Sequence, residues 1–450
     1  MRLLRVTIKK YKNLEEFDCV FPDSNISAFI GNNGSGKSNL LEAITEAFSY
    51  AKNKANDRAP GIILTPELYG CKIEYENDHR IFLLECDGAD VSISHDGKKL
   101  NKLGMEVALP ETIMLYYAGE TRRQSIKAQR TFDDTYTRKL KATSNDTFPG
   151  FKYLDYYSLQ DLPLLLITAY AFQGEYYEKL LKLLNCSKIQ PRVSFLLTNP
   201  TRSKGNADTY WNARGFVKSF LDGCRRFVSS TADQVNHYLM MFNDIAPIAS
   251  MASNESELFA KLKAIQNAGY LQRVMLSFSH NNGAEVSFDE LSEGEKQLSL
   301  LLLLTSFTAK NNVLYLFDEF DAYLHLNWQR ALAKLLNEVD INGHIIFSTH
   351  SPATVSGMQK KNVFIMTDGK VGPAPSETYN RSLDEIMEEH MLVSMRPTEY
   401  VVLEQEFRNA VVQGRKDLAE EVLIKIREIV GENDPFFITA RIVLNRMDNK

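Results

Sequence analysis

Alternation of apolar and polar residues marks five short segments in the first hundred residues of the chain. These segments are residues 2–9, 15–21, 71–76, 80–86 and 91–95. A period of two turns one face of a strand to a core and the other to solvent. The pattern therefore predicts an antiparallel β-subdomain near the start of the chain.

Four other segments are apolar throughout and do not alternate. They cover residues 26–30, 113–117, 313–317 and 345–347. Continuous apolar runs of this length are typical of strands that are buried on both faces of a parallel sheet. Together with the helical periodicity between them, they predict a layered α/β fold.

Helical periodicity dominates two further regions. In the middle of the chain it covers residues 161–167, 176–184, 216–227 and 258–265, and near the end residues 399–412, 416–430 and 435–447. Ser382 and Glu385 form a capping box that opens another helix. These patterns predict a compact helical insertion and a helical C-terminal region that suits docking of a partner or a second copy.

The most specific chemical signal follows the first apolar run. Residues 31–38 read Gly-Asn-Asn-Gly-Ser-Gly-Lys-Ser, between a predicted strand and a predicted helix. This is the spacing of a phosphate-binding loop, in which glycines let backbone N–H groups curl around phosphates. The candidate nucleotide-binding residues are Gly31, Asn32, Asn33, Gly34, Ser35, Gly36, Lys37, Ser38 and Asn39. In such a loop Lys37 reaches the β- and γ-phosphates of ATP, and the Ser38 hydroxyl holds Mg²⁺.

Two later strand ends carry side chains suited to hydrolysis. The run 313–317 ends in Asp318 and Glu319, and the run 345–347 is followed by Ser348, Thr349 and His350. Ligands of α/β sheets bind at the carboxyl ends of strands. We therefore expect Asp318 to bind Mg²⁺, Glu319 to act as general base on water, and His350 to contact the γ-phosphate.

A fourth motif precedes an unbroken apolar helix. In Leu291-Ser-Glu-Gly-Glu-Lys-Gln297, Ser292 is suited to cap the helix and Glu295 lies three residues later, as in a capping box. Capping a buried helix is one sufficient explanation of this motif. A helix start with small residues is also an anion site, so Ser292, Gly294 and Glu295 are candidate nucleotide-binding residues.

Taken in order, these motifs resemble those of the ABC-type ATPase superfamily, in its soluble branch with SMC, RecF and OLD proteins. The loop at residues 31–38 matches Walker A, residues 291–297 the signature, residues 314–319 Walker B, Asp321 the D-loop and His350 the switch histidine. The resemblance covers about the first 120 residues and residues 270–370. It implies an ATPase head that binds ATP and Mg²⁺ and dimerises, with the signature of one copy closing over ATP held by the other.

Two positions depart from the superfamily pattern. Glu293 stands where transporters of this superfamily carry glycine, as it does in similar soluble members. The Q-loop glutamine has no clear counterpart; Gln124 is a weak candidate, and the segment 117–120 lies where that loop is expected.

The layout as a whole resembles ATPases of bacterial anti-phage defence, most closely those of the Septu system, the PtuA family. That resemblance implies a separate HNH-type nuclease effector and assembly beyond a dimer. The ATPases of the PARIS system, which partner a Toprim effector, match equally well by motif. A RecF-like repair ATPase that binds DNA without a toxic effector is a further alternative, and an ATP-binding module with little hydrolysis is a third.

The resemblance and the patterns together predict four regions. They are an N-terminal half of the ATPase head (1–119), a helical insertion (120–270), a C-terminal half of the head (271–375) and a helical interaction region (376–450). We expect the two halves to form one mixed sheet with helices on both faces.

Composition limits the partners and the compartment that we expect for this chain. The 450 residues are 44% hydrophobic with a net charge of −5, which argues against a strongly basic nucleic-acid coat. The five cysteines are scattered, as in reduced cytoplasmic proteins, and no apolar stretch approaches the length of a membrane span. Residues 121–142 are rich in Arg and Lys, which fits either a solvated face or contacts to a DNA backbone.

Overall fold

A computed structural model shows how these segments are arranged. It describes residues 1–56, 68–88, 90–118, 126–143, 146–200, 205–234, 236–391, 398–431 and 434–448. The chain divides into two compact units, Met1–Arg381 and Ser382–Lys450. The finer division of the first unit at residues 119 and 270 stays a prediction.

The strands of the first unit are as follows. They are β1 (Arg2–Tyr11), β2 (Leu14–Val20), β3 (Ile26–Ile30), β4 (Cys71–Asn77), β5 (Arg80–Asp87), β6 (Asp90–His95), β7 (Lys98–Lys99), β8 (Thr112–Tyr117), β9 (Leu154–Tyr157), β10 (Cys186–Ile189), β11 (Val193–Thr198), β12 (Ser230–Gln234), β13 (His237–Phe242), β14 (Leu271–Met275), β15 (Ser277–His280), β16 (Glu285–Ser287), β17 (Val313–Asp318), β18 (Gly343–Ser348), β19 (Val363–Thr367) and β20 (Lys370–Pro373).

The α-helices of both units follow in chain order. They are α1 (Lys37–Ala55), α2 (Lys102–Ala108), α3 (Ile126–Leu140), α4 (Leu162–Phe172), α5 (Glu175–Leu183), α6 (Gly215–Arg225), α7 (Glu255–Asn267), α8 (Glu293–Phe307), α9 (Leu326–Glu338), α10 (Pro352–Ser356), α11 (Leu383–Glu389), α12 (Thr398–Val412), α13 (Lys416–Val430) and α14 (Phe436–Asp448).

A seven-stranded mixed sheet carries the strands with continuous apolar sequence. Its order is β20-β19-β3-β18-β17-β8-β9, and all neighbours are parallel except β19 and β20. Every residue of β3, β17 and β18 is buried, as the apolar runs predict. Because these three parallel strands are neighbours, their carboxyl ends meet at one edge of the sheet.

The alternating segments form a six-stranded antiparallel sheet, in the order β2-β1-β4-β5-β6-β7. Its buried face shares one hydrophobic core with α1, where the rings of Phe48 and Tyr75 lie 5.3 Å apart. The Nδ1 of His344 in β18 accepts a hydrogen bond from the Leu3 N–H of β1, at 3.1 Å. The antiparallel sheet is thereby held against the mixed sheet, and the predicted α/β fold class with its β-subdomain is confirmed.

The middle of the chain corrects one expectation, because the insertion is not purely helical. The four predicted helices are present as α4 to α7, but β11 to β14 form a four-stranded antiparallel sheet beside them. Burial alternates along β11 and β13, which pair in register from Val193–Phe242 to Thr198–His237. The strands were missed because short apolar runs such as residues 237–242 fit a helix or a strand equally well.

The second unit is helical, as expected. Ser382 caps α11 with the predicted capping box, and α12, α13 and α14 match the three predicted amphipathic segments. Their buried faces form a separate core around Phe407, Ile426 and Phe437. Among the described residues, the helices lack the combination of length and apolar character that a membrane crossing requires.

Candidate active site

The phosphate-binding loop connects β3 to α1 and depends on glycine at particular positions. Gly31 has a φ of 147°, and a Cβ built there would lie 2.1 Å from the carbonyl oxygen of Met366. Gly36, at φ 108°, directly precedes α1 and has no side chain of its own that could cap the N–H groups at the start of the helix. These N–H groups and the positive end of the helix dipole form a site suited to phosphate.

Lys37 bends back over the loop. Its Nζ donates hydrogen bonds to the carbonyl oxygens of Gly31 at 2.8 Å and Asn32 at 3.2 Å, and lies 3.5 Å from the Ser35 hydroxyl. Burial lowers the pKa of Lys37 to about 8, although the nearby carboxylates oppose the shift. A triphosphate in the loop would place negative charge beside this ammonium and so favour its protonated form.

The carboxyl end of β17 presents the two acidic residues differently. Asp318 is 1% exposed, and its carboxylate accepts a hydrogen bond from the Ser348 hydroxyl. Burial raises the pKa of Asp318, while hydrogen bonds from Ser348 and Ser38 oppose this. Among the described residues, none donates a hydrogen bond to Asp318 Oδ2, so this buried oxygen is available to bind a cation.

Glu319, the next residue, is held in an unusual conformation. Its φ is 49°, in the left-handed region that costs a residue with a Cβ about 1–2 kcal/mol. Its N–H donates to the Ser348 hydroxyl at 3.0 Å, which holds the backbone in this turn. The turn directs the Glu319 side chain into the same cleft as the phosphate-binding loop. Strain of this kind is often found where a side chain must be aimed at a site.

The predicted catalytic groups meet in one cleft of about 440 Å³. It is lined by Asn33, Gly34, Gly36, Lys37, Ser38, Asn39, Tyr117, Glu319 and His350. Burial and the charge of Lys37 lower the pKa of His350 below its ordinary value, so its imidazole is neutral at neutral pH. The arrangement combines a loop suited to phosphate, a carboxylate and a neutral imidazole in one cleft.

The signature residues lie elsewhere in the chain's fold and do not line this cleft. Ser292 caps α8, accepting the Glu295 N–H at 3.3 Å while its own N–H donates to the Glu295 carboxylate at 2.9 Å. Ser292 is exposed. A Cβ built on Gly294 would lie 3.2 Å from the Trp328 ring, so Gly294 packs directly against that ring. The predicted capping box is confirmed, and within one copy these residues are separate from the Walker loop.

The sequence assigned no contact to Ser348 or Gln297, and it identified Tyr117 only as part of the segment 117–120 expected to hold the Q-loop. Tyr117 lines the cleft, Ser348 joins Asp318 to Glu319, and the Gln297 amide donates to the Phe320 carbonyl beside Asp321. Tyr117 ends β8, next to β17, and Ser348 ends β18, between β17 and β3. Their positions at the carboxyl ends of predicted buried strands could have identified both as residues near the site. Gln297 was named only as the last residue of the signature motif, without a predicted contact.

Two expectations fall wholly or partly outside the described residues. The Q-loop candidates Gln124, Gly119 and Glu120 lie there, as do Arg122 and Arg123 of the basic stretch. The Q-loop position and the contact of residues 122–141 with nucleic acid therefore stay predictions.

Comparison with known protein families agrees with the chemistry of the cleft. Residues 1–188 match the family model "AAA ATPase domain", and residues 218–356 match "AAA domain, putative AbiEii toxin, Type IV TA system". Between them these matches include the Walker loop, the signature, Asp318, Glu319 and His350. The prediction that the chain is an ATPase is confirmed.

Two curated relatives carry the same kind of name. "Retron Vc95 probable ATPase" from Vibrio cholerae serotype O1 biovar El Tor is 23% identical over 483 residues, covering 94% of this chain and 86% of the relative. "Retron Ec83 probable ATPase" from Escherichia coli is 27% identical over 210 residues, covering 43% of this chain and 38% of the relative. The chain is thus similar to retron ATPases, over nearly its whole length in the first case.

Solved structures that align with the chain include heads of SMC proteins. The SMC head domain from Thermotoga maritima aligns with a TM-score of 0.37 at 14% identity, over 84% of this chain and all of that chain. An Smc head from Pyrococcus furiosus, bound to the C-terminal domain of ScpA, aligns with a TM-score of 0.37 at 15% identity, over 86% and 98% of the two chains.

Proposed function

We propose that this chain is an ATP-driven switch that closes as a dimer around ATP and controls a separate nuclease effector in bacterial anti-phage defence. The observation that supports it most is the meeting of Lys37, Ser38, Glu319 and His350 in one cleft. These residues come from three parts of the sequence, and the fold brings them to one edge of the mixed sheet.

In the proposed reaction the chain holds the triphosphate at the start of α1. Lys37 transfers its hydrogen bonds from the loop carbonyls to the β- and γ-phosphates, and Glu319 accepts a proton from the attacking water. His350, neutral in the cleft, donates a hydrogen bond to the γ-phosphate. Hydrolysis removes that phosphate and with it the contact to His350.

Magnesium would be held beside this cleft by Ser38, which lines it, and by Asp318, which precedes Glu319. The Ser38 hydroxyl and the Asp318 carboxylate are hard oxygen ligands of the kind Mg²⁺ prefers beside phosphates. Asp318 Oδ2 is buried and receives no hydrogen bond from the part of the chain that the structure describes. When bound, Mg²⁺ would neutralise charge on the phosphate oxygens.

The dimer follows from the exposed signature. Ser292, Gly294 and Glu295 are proposed to contact ATP held by a second copy, in a symmetric interface with two nucleotides. Gly294 lies against the Trp328 ring and the Tyr323 backbone. The Tyr323 and Leu326 side chains of the same segment are 57% and 46% exposed, which supports a contact surface in this part of the chain. ATP would stabilise the closed dimer because it binds both halves of the site only in that state.

The defence role rests on the relatives and on the layout of the motifs. Both curated relatives are named as retron ATPases, and the motif layout resembles the Septu ATPases with their HNH-type nuclease partner. We propose an effector of this nuclease class and assembly beyond the dimer. A RecF-like role in DNA repair remains the alternative, and it predicts ATP turnover that DNA stimulates.

Steady-state ATP hydrolysis by the purified chain tests the site. Lys37→Ala should abolish nucleotide binding, because the ammonium supplies the main charge for the phosphates. Retained ATP affinity in this variant would refute the assigned site. Asn56→Ala, on an exposed residue that does not line the cleft, is the matched control and should leave turnover unchanged.

Recovery of partners tests the defence role. The tagged chain, expressed from its native locus with its neighbouring genes, should co-purify with a nuclease in stoichiometric amount. Recovery of the chain alone, with turnover that rises on addition of DNA, would favour the repair ATPase.

A further inference from the structure

Asp321 is the most deeply buried acidic group near the cleft that the proposed reaction does not use. It is 3% exposed, three residues beyond Asp318 in the turn after β17. Its Oδ2 accepts hydrogen bonds from two threonine hydroxyls, that of Thr349 at 2.5 Å and that of Thr354. Both threonines belong to the segment that carries His350, so the carboxylate joins the Walker B turn to that segment.

A second connection runs between the same two segments through Gln329 in α9. The Gln329 Nε2 donates to the backbone carbonyl of Asp321 at 3.0 Å, and its Oε1 accepts the Ser351 hydroxyl at 2.6 Å. The Ser351 N–H donates to the Thr349 hydroxyl at 2.8 Å. These bonds close a ring through Asp321, Thr349, Ser351 and Gln329. We call this ring, together with the Thr354 hydroxyl that also donates to Asp321, the Asp321 ring.

Hydrogen bonds of the Asp321 ring hold the residues immediately before and after His350. Thr349, before it, is bonded through its hydroxyl to Asp321 and through its N–H to the Phe29 carbonyl of β3 at 3.1 Å. Ser351, after it, is bonded to Gln329. With both neighbours held, the backbone position of His350 is constrained from both sides.

Helix capping alone explains only part of the ring. The Ser351 hydroxyl accepts the Thr354 N–H at 3.1 Å and so caps α10. Capping does not require a buried carboxylate. Burial raises the pKa of Asp321 to about 6, because keeping this carboxylate ionised away from water costs free energy. A buried acid with two hydroxyl donors is the arrangement expected of a group that fixes geometry rather than of one that adds stability.

We propose that Asp321 is a positioning residue which, through Thr354 and Gln329, holds His350 at the γ-phosphate of ATP. This inference rests on the proposed function, because it assigns His350 to the γ-phosphate. It adds that the contact between His350 and the γ-phosphate depends on the Asp321 ring, whose side chains do not line the cleft.

The test removes one bond of the ring and asks whether the effect passes through His350. Thr354→Val keeps the shape of the side chain and deletes the hydroxyl, whereas Thr354→Ser keeps the hydroxyl and serves as the matched control. We expect Thr354→Val to lower kcat by about 10- to 100-fold, the effect of misplacing a reacting group by about 1 Å, with KM for ATP nearly unchanged. Thr354→Ser should retain kcat near that of the unaltered chain.

A double-mutant cycle supplies the readout that a purely structural role would not change. In a His350→Ala background, Thr354→Val should cause no further loss of kcat, because the group it positions is already absent. Equal losses of kcat in both backgrounds would overturn the proposal, as would an unchanged kcat in Thr354→Val alone. If Thr354→Val does not fold, as judged by its thermal melting, Gln329→Met enters the same cycle with the same criteria.

The cycle also separates this proposal from the function on which it rests. If His350→Ala itself leaves kcat unchanged, the assignment of His350 to the γ-phosphate fails. If His350→Ala lowers kcat and Thr354→Val adds an independent loss, the proposed function stands and the positioning role is refuted.

Discussion

His344 offers a test of how the two sheets of the first unit are held together. Its ring is fully buried, and Nδ1 accepts the Leu3 N–H at 3.1 Å while Nε2 lies 3.1 Å from the Ser27 hydroxyl. Because Nδ1 accepts a backbone N–H, the ring must be neutral with its proton on Nε2. Burial, with the positive charges of Arg2 and the N-terminus, lowers the pKa of His344 from 6.5 to about 3.

The direction and size of the pH effect follow from this shift. Below pH 6.5 the unfolded chain takes up a proton that folded His344 refuses, so stability is full above that pH and is lost as pH falls. With pKa values of 6.5 and about 3, linkage gives a loss of about 2 kcal/mol between pH 8 and pH 5. The quantity affected is the free energy of unfolding of the first unit, in which His344 joins β1 to β18.

Unfolding by urea at several pH values, followed by tryptophan fluorescence, measures this loss. His344→Asn keeps an acceptor for the Leu3 N–H but cannot titrate, so its stability should fall by about 2 kcal/mol less between pH 8 and pH 5. Hydrogen exchange at the Leu3 amide gives a local readout of the same bond. Identical pH dependence in the two proteins would refute the reasoning about His344.

Two further predictions concern the cleft. Glu319→Gln should lower ATP turnover by about 10²- to 10⁴-fold, the usual contribution of a general base. Because the variant binds ATP without hydrolysing it, size-exclusion chromatography should show an ATP-bound dimer. Unaltered turnover would exclude the assigned role. Gly31→Ala should abolish ATP binding, because its Cβ would lie 2.1 Å from the Met366 carbonyl oxygen. A Cβ at Gly34 would meet no described atom within 4 Å, so Gly34→Ala should fold at a cost of about 1–2 kcal/mol and keep measurable ATP affinity. Equal ATP affinity in the two alanine variants, measured by calorimetry, would contradict the role of close packing at Gly31.

The sequence predicts the frame of the site well because the relevant signals are local. Continuous apolar runs ending in Asp318 or before His350 identify buried strands and the edge at which they end. The glycine spacing of the loop and the capping box at Ser292 are likewise contained in fewer than ten residues. Each depends on backbone geometry that neighbouring residues dictate.

Features that depend on distant contacts were not predicted. The strands β11 to β14 depend on pairing between segments such as Val193–Thr198 and His237–Phe242, and the pattern of each alone is ambiguous. The Asp321 ring joins Asp321 to Thr349 and Thr354, which lie in a separate segment after β18. The positive φ of Glu319 has no marker in the sequence, because glutamate has no preference for that conformation.

The central claim is that two copies complete each other's ATP sites, and mixing two inactive variants tests it most directly. Ser292→Arg disables the signature and Lys37→Ala disables the Walker loop, so each variant alone should be inactive. An equal mixture should recover about a quarter of the wild-type turnover, because half of the randomly formed pairs are mixed and each holds one working site. A mixture as inactive as its components, under conditions in which mixed dimers form, would contradict shared sites, and full activity of Ser292→Arg alone would show that the signature takes no part.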